Sequence, residues 1–315
     1  MAIYHLSVKP ISRKNGRTSI ASSAYRASAK ITDLQTGETH DYTKKKGVVC
    51  SDCFIYCNDE KKQIDREQLW NTAEKAEKRK DSRTAREIIV NLPFELNKEQ
   101  RKNLIDDFTK HLSKDFNCAI DYAIHEPSRH GDKRNHHAHI LMTTRKATLE
   151  NGKIILGEKT TLEFENKKLK SLDLPKTQDQ IKNIRQQWAD ITNEHLKKAG
   201  IDETIDHRSY KDRGLDIEPT IKLGVKVTAI ERKGVKTLKG DINRAIKEKN
   251  KELLKYNFLT KSQQESDKPS LDEPKLSFLE KRKMIREQEQ QAQKQTEQQK
   301  PSTETAQETN SLKPF

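Results

Sequence analysis

The sequence predicts an α+β fold: an antiparallel or mixed sheet with helices on one side, followed by a helical or disordered C-terminal tail. Three observations carry this. Stretches with two-residue alternation recur along the chain, and amphipathic stretches with helical spacing fall between them. The stretches CAIDYAIHE (118–126) and HHAHILMTT (136–144) flank one polar loop, as the arms of a β-hairpin do. The stretch REQEQQAQKQTEQQKPSTETAQETN (286–310) has almost nothing apolar to bury, so it cannot offset its ordering entropy.

Each element has a local reason. In AIYHLSVK, Ala2, Tyr4, Leu6 and Val8 alternate with Ile3, His5 and Ser7, which predicts a strand. A basic turn with Asn15-Gly16 follows. Ile20, Ala24, Ala27 and Ile31 then recur at helical spacing behind Thr18 or Ser19 as cap. The Ala and Ser content of this helix allows a close neighbour. A hairpin through Thr36-Gly37 comes next, then a helix with Leu69, Ala73 and Ala76 inward. AREIIVNLP is a strand stopped by Pro93, and residues 97–116 form another helix. After the central hairpin and a variable stretch, a helix runs from about Thr177 to a Gly200 stop. A charged loop follows, and helical periodicity returns beyond Thr228.

Composition narrows the partners. The 315 residues carry a net charge of +14, with 35% charged and 31% hydrophobic residues, and a mean hydropathy of −1.03. A basic balance favours a polyanion, nucleic acid first, although Lys-rich surfaces are common. No run approaches the roughly 18 apolar residues of a membrane span, and the N-terminus lacks a signal-peptide core, so the expected location is cytoplasmic. Cys50, Cys53 and Cys57 form half of a paired zinc motif that His40 or Cys118 would complete; free thiols are the plainer reading.

The chemistry concentrates in NHHAHILMTTR (135–145). On a strand, His137 and His139 share a face and His136 takes the other. His125 closes the partner strand, so an antiparallel hairpin brings it beside His137. Three imidazoles on one sheet face form a divalent-metal site with open positions, suited to Lewis-acid chemistry on a phosphate. The plain alternative is a surface hairpin that happens to carry histidines. Glu87 shares its face with Ile89, and Arg86 takes the opposite one. A carboxylate there is costly unless it ligates a metal or orients an imidazole; an exposed strand-end charge is the other reading. Tyr25 sits one residue off the apolar stripe of its helix, at the rim. A phenol is a weak nucleophile at neutral pH unless a metal, base or cation favours the phenolate.

Four segments in order, residues 1–28, AEKRKDSRTAREIIVNLP, AIHEPSRHGDKRNHHAHILMTTR and DHRSYKDRGLDIEPTIKLG, resemble the MobA/MobL family of plasmid mobilisation relaxases, of the MobQ class. The resemblance spans about residues 1–225, leaving 226–260 as a helical extension and 261–315 as a polar Gln/Glu/Lys-rich tail, a frayed helix or disordered. It implies the HUH (His-hydrophobe-His) relaxase fold, a ferredoxin-like-derived antiparallel sheet flanked by helices. It implies Tyr25 as nucleophile, Glu87 as the acidic residue and His125, His137 and His139 as metal ligands. The sequence departs from the family pattern at His136, where proline is common, in a longer loop after His125, and at Lys222, where relatives often carry a histidine; only the last weakens a role.

The activity implied is metal-dependent nicking of one strand at a transfer origin through a 5′-phosphotyrosine. Mn²⁺ or Mg²⁺ would be the cofactor, and an all-imidazole shell leans toward Mn²⁺. Single-stranded DNA at the origin, accessory mobilisation proteins and a type IV secretion coupling protein are the partners implied. Candidate DNA contacts are Arg13, Lys14, Arg17, Arg26, Arg79, Arg83, Arg86 and Arg134, with Lys78, Arg129, Lys133, His207, Arg208 and Arg213 behind them; a solvated charge is the alternative for each. Rival readings are a rolling-circle replication initiator, which usually places its tyrosine after the H-x-H pair, a DNA-binding protein without catalysis, and a nuclease that hydrolyses with water.

Overall fold

A computed structural model describes residues 3–129 and 131–266. The chain divides into two units, one ending at Leu215 and the next beginning at Asp216. The first is α+β. Its main sheet has six antiparallel strands: β1 (Leu6–Ser12), β4 (Val48–Cys57), β5 (Glu60–Gln63), β6 (Arg83–Leu92), β7 (Ile120–His125) and β8 (His136–Thr143). Their spatial order is β1-β6-β8-β7-β4-β5. Two-stranded ribbons β2 (Lys30–Thr32) with β3 (Thr39–Asp41) and β9 (Arg145–Glu150) with β10 (Lys153–Lys159) lie outside it.

Strand alternation gives the sheet two unlike faces. Leu6, Ile88, Val90, Tyr122, Ile124, Ala138, Ile140 and Met142 point one way. Helices α3 (Lys98–Phe116) and α5 (Thr177–Lys198) cover that face with Leu104, Phe108, Leu112, Ile184 and Trp188. The other face carries Ile11, Cys53, Ile55, Ala85 and Leu141 under α1 (Ser19–Ala27) and α2 (Arg66–Ala76), which contribute Ile20, Ala24, Leu69 and Trp70. Asp121 lies beneath these two helices. It accepts from Ser23 of α1 at 2.5 Å, and from Arg66 and Trp70 of α2 at 3.0 and 2.8 Å. One buried carboxylate thus ties both helices to the sheet.

Several boundaries differ from the sequence reading. The first strand is displaced C-terminally, because its extent is set by pairing with β6 from Leu6↔Val90 to Ser12↔Arg83. Pro10 is tolerated because β1 is an edge strand. The first helix ends at Ala27, where Ser28 turns left-handed at φ 52°, so Ile31 belongs to β2. Thr18 is its cap, accepting from the Ala21 amide at 3.0 Å. The β4–β5 hairpin and the β9–β10 ribbon were not anticipated. Asn58 and Asp59 turn the first with positive φ, where no glycine marks the turn.

The register of β4 separates the cysteines of the alternative zinc reading. Cys50 packs against the first core while Cys53 and Cys57 face the second. Cys118 is fully buried in the first core. Among the described residues these thiols form no metal-binding group.

In the second unit, α6 (Gly224–Arg232) and α7 (Leu238–Ser266) are joined by Glu231, which accepts from Thr237 and from Arg244 at 2.7 Å. The helix α7 runs past residue 260; the expectation of a frayed or disordered tail lies, from residue 267 on, outside the described residues. No helix among the described residues is long and apolar enough to cross a membrane.

Candidate active site

The sheet face under α1 carries His125, His137 and His139. The hairpin register sets His125 directly opposite His137, and β6 pairs Ile89 with His139. Ring centroids lie 5.0–5.4 Å apart, and one ligand nitrogen from each lies within 4.8 Å of the others. His136 points to the opposite face, as alternation requires.

Each imidazole is fixed by one hydrogen bond. His125 Nε2 donates to the Arg26 carbonyl at 2.8 Å, His137 Nδ1 to the Asn135 carbonyl at 3.0 Å, and His139 Nδ1 to Glu87 Oε1 at 2.7 Å. With one nitrogen donating, the other keeps its lone pair while the ring is neutral. Burial foremost, with the Lys45 charge and the neighbouring imidazoles, pushes the His125 pKa down to about 3. Burial also lowers that of His137. Three imidazoles with one ring nitrogen each left over from these bonds fit a divalent cation, and the carboxylate behind His139 is the outer partner that such ligands need.

The end of α1 organises this cluster. The last carbonyls of a helix lack intrahelical donors. The Ser28 and Ala29 amides both return to the Ala24 carbonyl, and the Arg26 carbonyl goes to His125. The Arg26 side chain crosses to Glu87, Nε to Oε1 at 2.5 Å. Burial raises the Glu87 pKa, but hydrogen bonds from His139 and Arg26 outweigh it and bring it down to about 2. Glu87 is 4% exposed and ionised, shared between a guanidinium and an imidazole.

Tyr25 precedes Arg26 and is 50% exposed. Its ring meets Tyr42 edge-on at 5.2 Å and has Lys45 Nζ over its face, 4.2 Å from the centroid. Lys45 Nζ also donates to the Tyr25 carbonyl at 2.9 Å. Lys45 was missed from the sequence because it stands second in a run of three lysines.

The MobA/MobL family model matches residues 17–233, more than half of the chain. The chain belongs to the MobA/MobL family. A mobilization protein MobL from Acidithiobacillus ferridurans is 35% identical over 258 residues, covering 74% of this chain and 65% of that protein. A conjugal transfer protein TraA from Agrobacterium fabrum is 36% identical over 251 residues, covering 74% of this chain and 22% of that one. The chain therefore spans less than two thirds of either relative. A solved structure described as "Molecular Basis of Vancomycin Resistance Transfer in Staphylococcus aureus" is 29% identical with a TM-score of 0.55, covering 66% of this chain and all of that one.

The basic residues of this MobA/MobL chain fall into two groups. Arg13 bonds Glu74 and the carbonyls of Glu74, Glu77 and Arg79. Arg86 is 5% exposed and donates to Glu163 at 2.6 Å and to the Leu162 carbonyl. Arg26 is engaged by Glu87. These three guanidiniums hold the fold or the site, and as placed Arg86 has nothing to offer a phosphate. Lys14 and Arg17 are exposed; Arg79, Arg83 and Arg134 are exposed but paired with Asp81, Glu163 and Asp132. Lys78, Arg129 and Lys133 are exposed, and Arg208 and Arg213 both pair with Asp206.

Proposed function

We propose that this chain is an HUH-type mobilisation relaxase: it nicks one DNA strand at a plasmid transfer origin by tyrosyl transesterification. The observation that carries the reading is the three-imidazole cluster bonded to the same helix end that bears Tyr25, through the Arg26 carbonyl and the Arg26–Glu87 pair. Family membership supports it.

His125, His137 and His139 would hold Mn²⁺ or Mg²⁺, which when bound supplies Lewis-acid polarisation to the scissile phosphate. The chain's residues do the rest. Tyr25 Oη forms a bond to phosphorus as the bond from phosphorus to the 3′ oxygen breaks. The phenol proton leaves, and the departing 3′ oxygen gains one from solvent. The products are a 5′-phosphotyrosine and a 3′-hydroxyl. One phosphodiester replaces another, so the 3′-hydroxyl can reverse the step without ATP; attack by water would forfeit that. Glu87 keeps His139 in one tautomer, and Arg26 keeps Glu87 ionised. The partner is single-stranded origin DNA, held by exposed Lys14, Arg17, Arg79, Arg83 and Arg134; the reaction belongs in the cytoplasm, with accessory mobilisation proteins and a secretion coupling protein acting around it.

The test is a gel assay with labelled single-stranded DNA from a candidate origin, with Mn²⁺ or EDTA. A metal-dependent covalent protein–DNA band, lost in Tyr25→Phe while DNA binding persists, is the expected result. Cleavage without the band would replace this reading with a hydrolytic nuclease. Binding without cleavage of a verified origin would replace it with a DNA-binding protein.

A further inference from the structure

Lys45 stands apart from its neighbours in the loop between β3 and β4. Lys44 and Lys46 are exposed, whereas Lys45 folds inward until it is half-buried. The loop is pinned on both sides. The Lys45 amide donates to the Tyr42 carbonyl at 2.9 Å, and the Glu126 amide, next to His125, donates to the Gly47 carbonyl at 2.9 Å. Gly47 takes φ 97°, a conformation side chains resist, so the chain can turn from the inward lysine into β4.

The ammonium then makes two contacts with one residue: the hydrogen bond to the Tyr25 carbonyl and the stacking over the Tyr25 ring. No carboxylate pairs with it among the described residues. It is near enough to Arg26 that the two like charges disfavour each other. A half-buried cation beside a second cation is costly unless an anion arrives there.

We propose that Lys45 is a positioning residue for Tyr25: it clamps the ring and the last turn of α1, and its charge attracts the incoming phosphate. The inference rests on the nicking reading above. Carbonyl and ring are held by one ammonium: the carbonyl bond fixes the ammonium to the backbone of the last turn, and the ring cannot swing out without losing its stacking on that ammonium. A cation held against the attacking residue, with no carboxylate to neutralise it, favours the negative charge that a phosphate brings there.

The experiment compares wild type with Lys45→Met, Lys45→Arg and Lys44→Met in single-turnover adduct formation, at saturating single-stranded origin DNA and Mn²⁺. Methionine keeps the apolar stem over the ring and removes the charge. Lys44→Met removes the same charge from the exposed neighbour. The expected result is a rate about tenfold or more lower in Lys45→Met, largely recovered in Lys45→Arg. DNA affinity should change no more than in Lys44→Met, and Mn²⁺ affinity and the thermal midpoint should be retained. A Lys45→Met rate equal to wild type, a loss shared by Lys44→Met, or an arginine variant as slow as the methionine one overturns the inference alone. No adduct from wild type removes the nicking reading, and this inference with it.

Discussion

Arg26 and Glu87 form an ion pair between the last turn of α1 and strand β6, Nε to Oε1 at 2.5 Å. The same carboxylate oxygen accepts from His139, and the Arg26 carbonyl accepts from His125. A residue adjacent to the tyrosine thus fixes two of the three imidazoles.

Glu87→Gln should weaken metal binding more than folding. An amide can still approach the His139 Nδ1–H, but without the charge that favours that tautomer. Mn²⁺ affinity, measured by calorimetry or paramagnetic resonance, should fall about 10- to 100-fold, with adduct formation partly recovered at high Mn²⁺. Unchanged affinity would remove Glu87 from the site's support.

The metal-free protein should lose stability below neutral pH. The pKa of His125 is about 3 when folded, against the ordinary value of about 6.5 in the unfolded chain. Between these values the unfolded chain binds more protons, so this contribution is complete above about 6.5 and is lost as pH falls toward 3. Glu87, lowered to about 2, adds a loss only below the usual carboxylate range. Thermal midpoints from pH 8 to pH 4 in EDTA should fall, and His125→Asn should flatten the upper part of that fall. An equal slope in both proteins would count against the buried neutral imidazole.

Asp121→Ala should destabilise the fold. It leaves the Arg66 guanidinium and the Trp70 and Ser23 donors without their acceptor under α1 and α2. Loss of one partner from a buried pair costs about 3 kcal/mol or more, readable by urea denaturation. A change under about 1 kcal/mol would mean that the network repacks.

The basic residues should separate by salt dependence. Replacing exposed Arg17 should lower the slope of log affinity against log salt by about 0.7 for single-stranded DNA, one phosphate contact. Arg86→Met should leave the slope alone and lower the thermal midpoint, because its partner is Glu163 inside the protein. A slope change in Arg86→Met would mean that the Glu163 pair opens on DNA.

The histidine half of the site was legible in the sequence because strand periodicity and hairpin register are local rules. CAIDYAIHE, a polar loop and HHAHILMTT suffice to put His125 opposite His137, and His139 on the same face. Alternation likewise separates Arg86 from Glu87. The resemblance of four segments supplied the family, which the family match bears out.

What the tertiary structure alone decided is how each charge is used. Arg13, Arg26 and Arg86 look like Arg17 in the sequence, yet buried carboxylates engage the first three. Among three consecutive lysines only Lys45 turns inward, because the loop is anchored at Tyr42 and at Glu126. The Cys-x-x-Cys spacing is dispersed across two faces by β4, and β1 begins where β6 offers it a partner. Periodicity fixes which face a side chain takes. Whether a charge there meets a carboxylate, a ring or water depends on segments far away in the chain, and no local pattern encodes that.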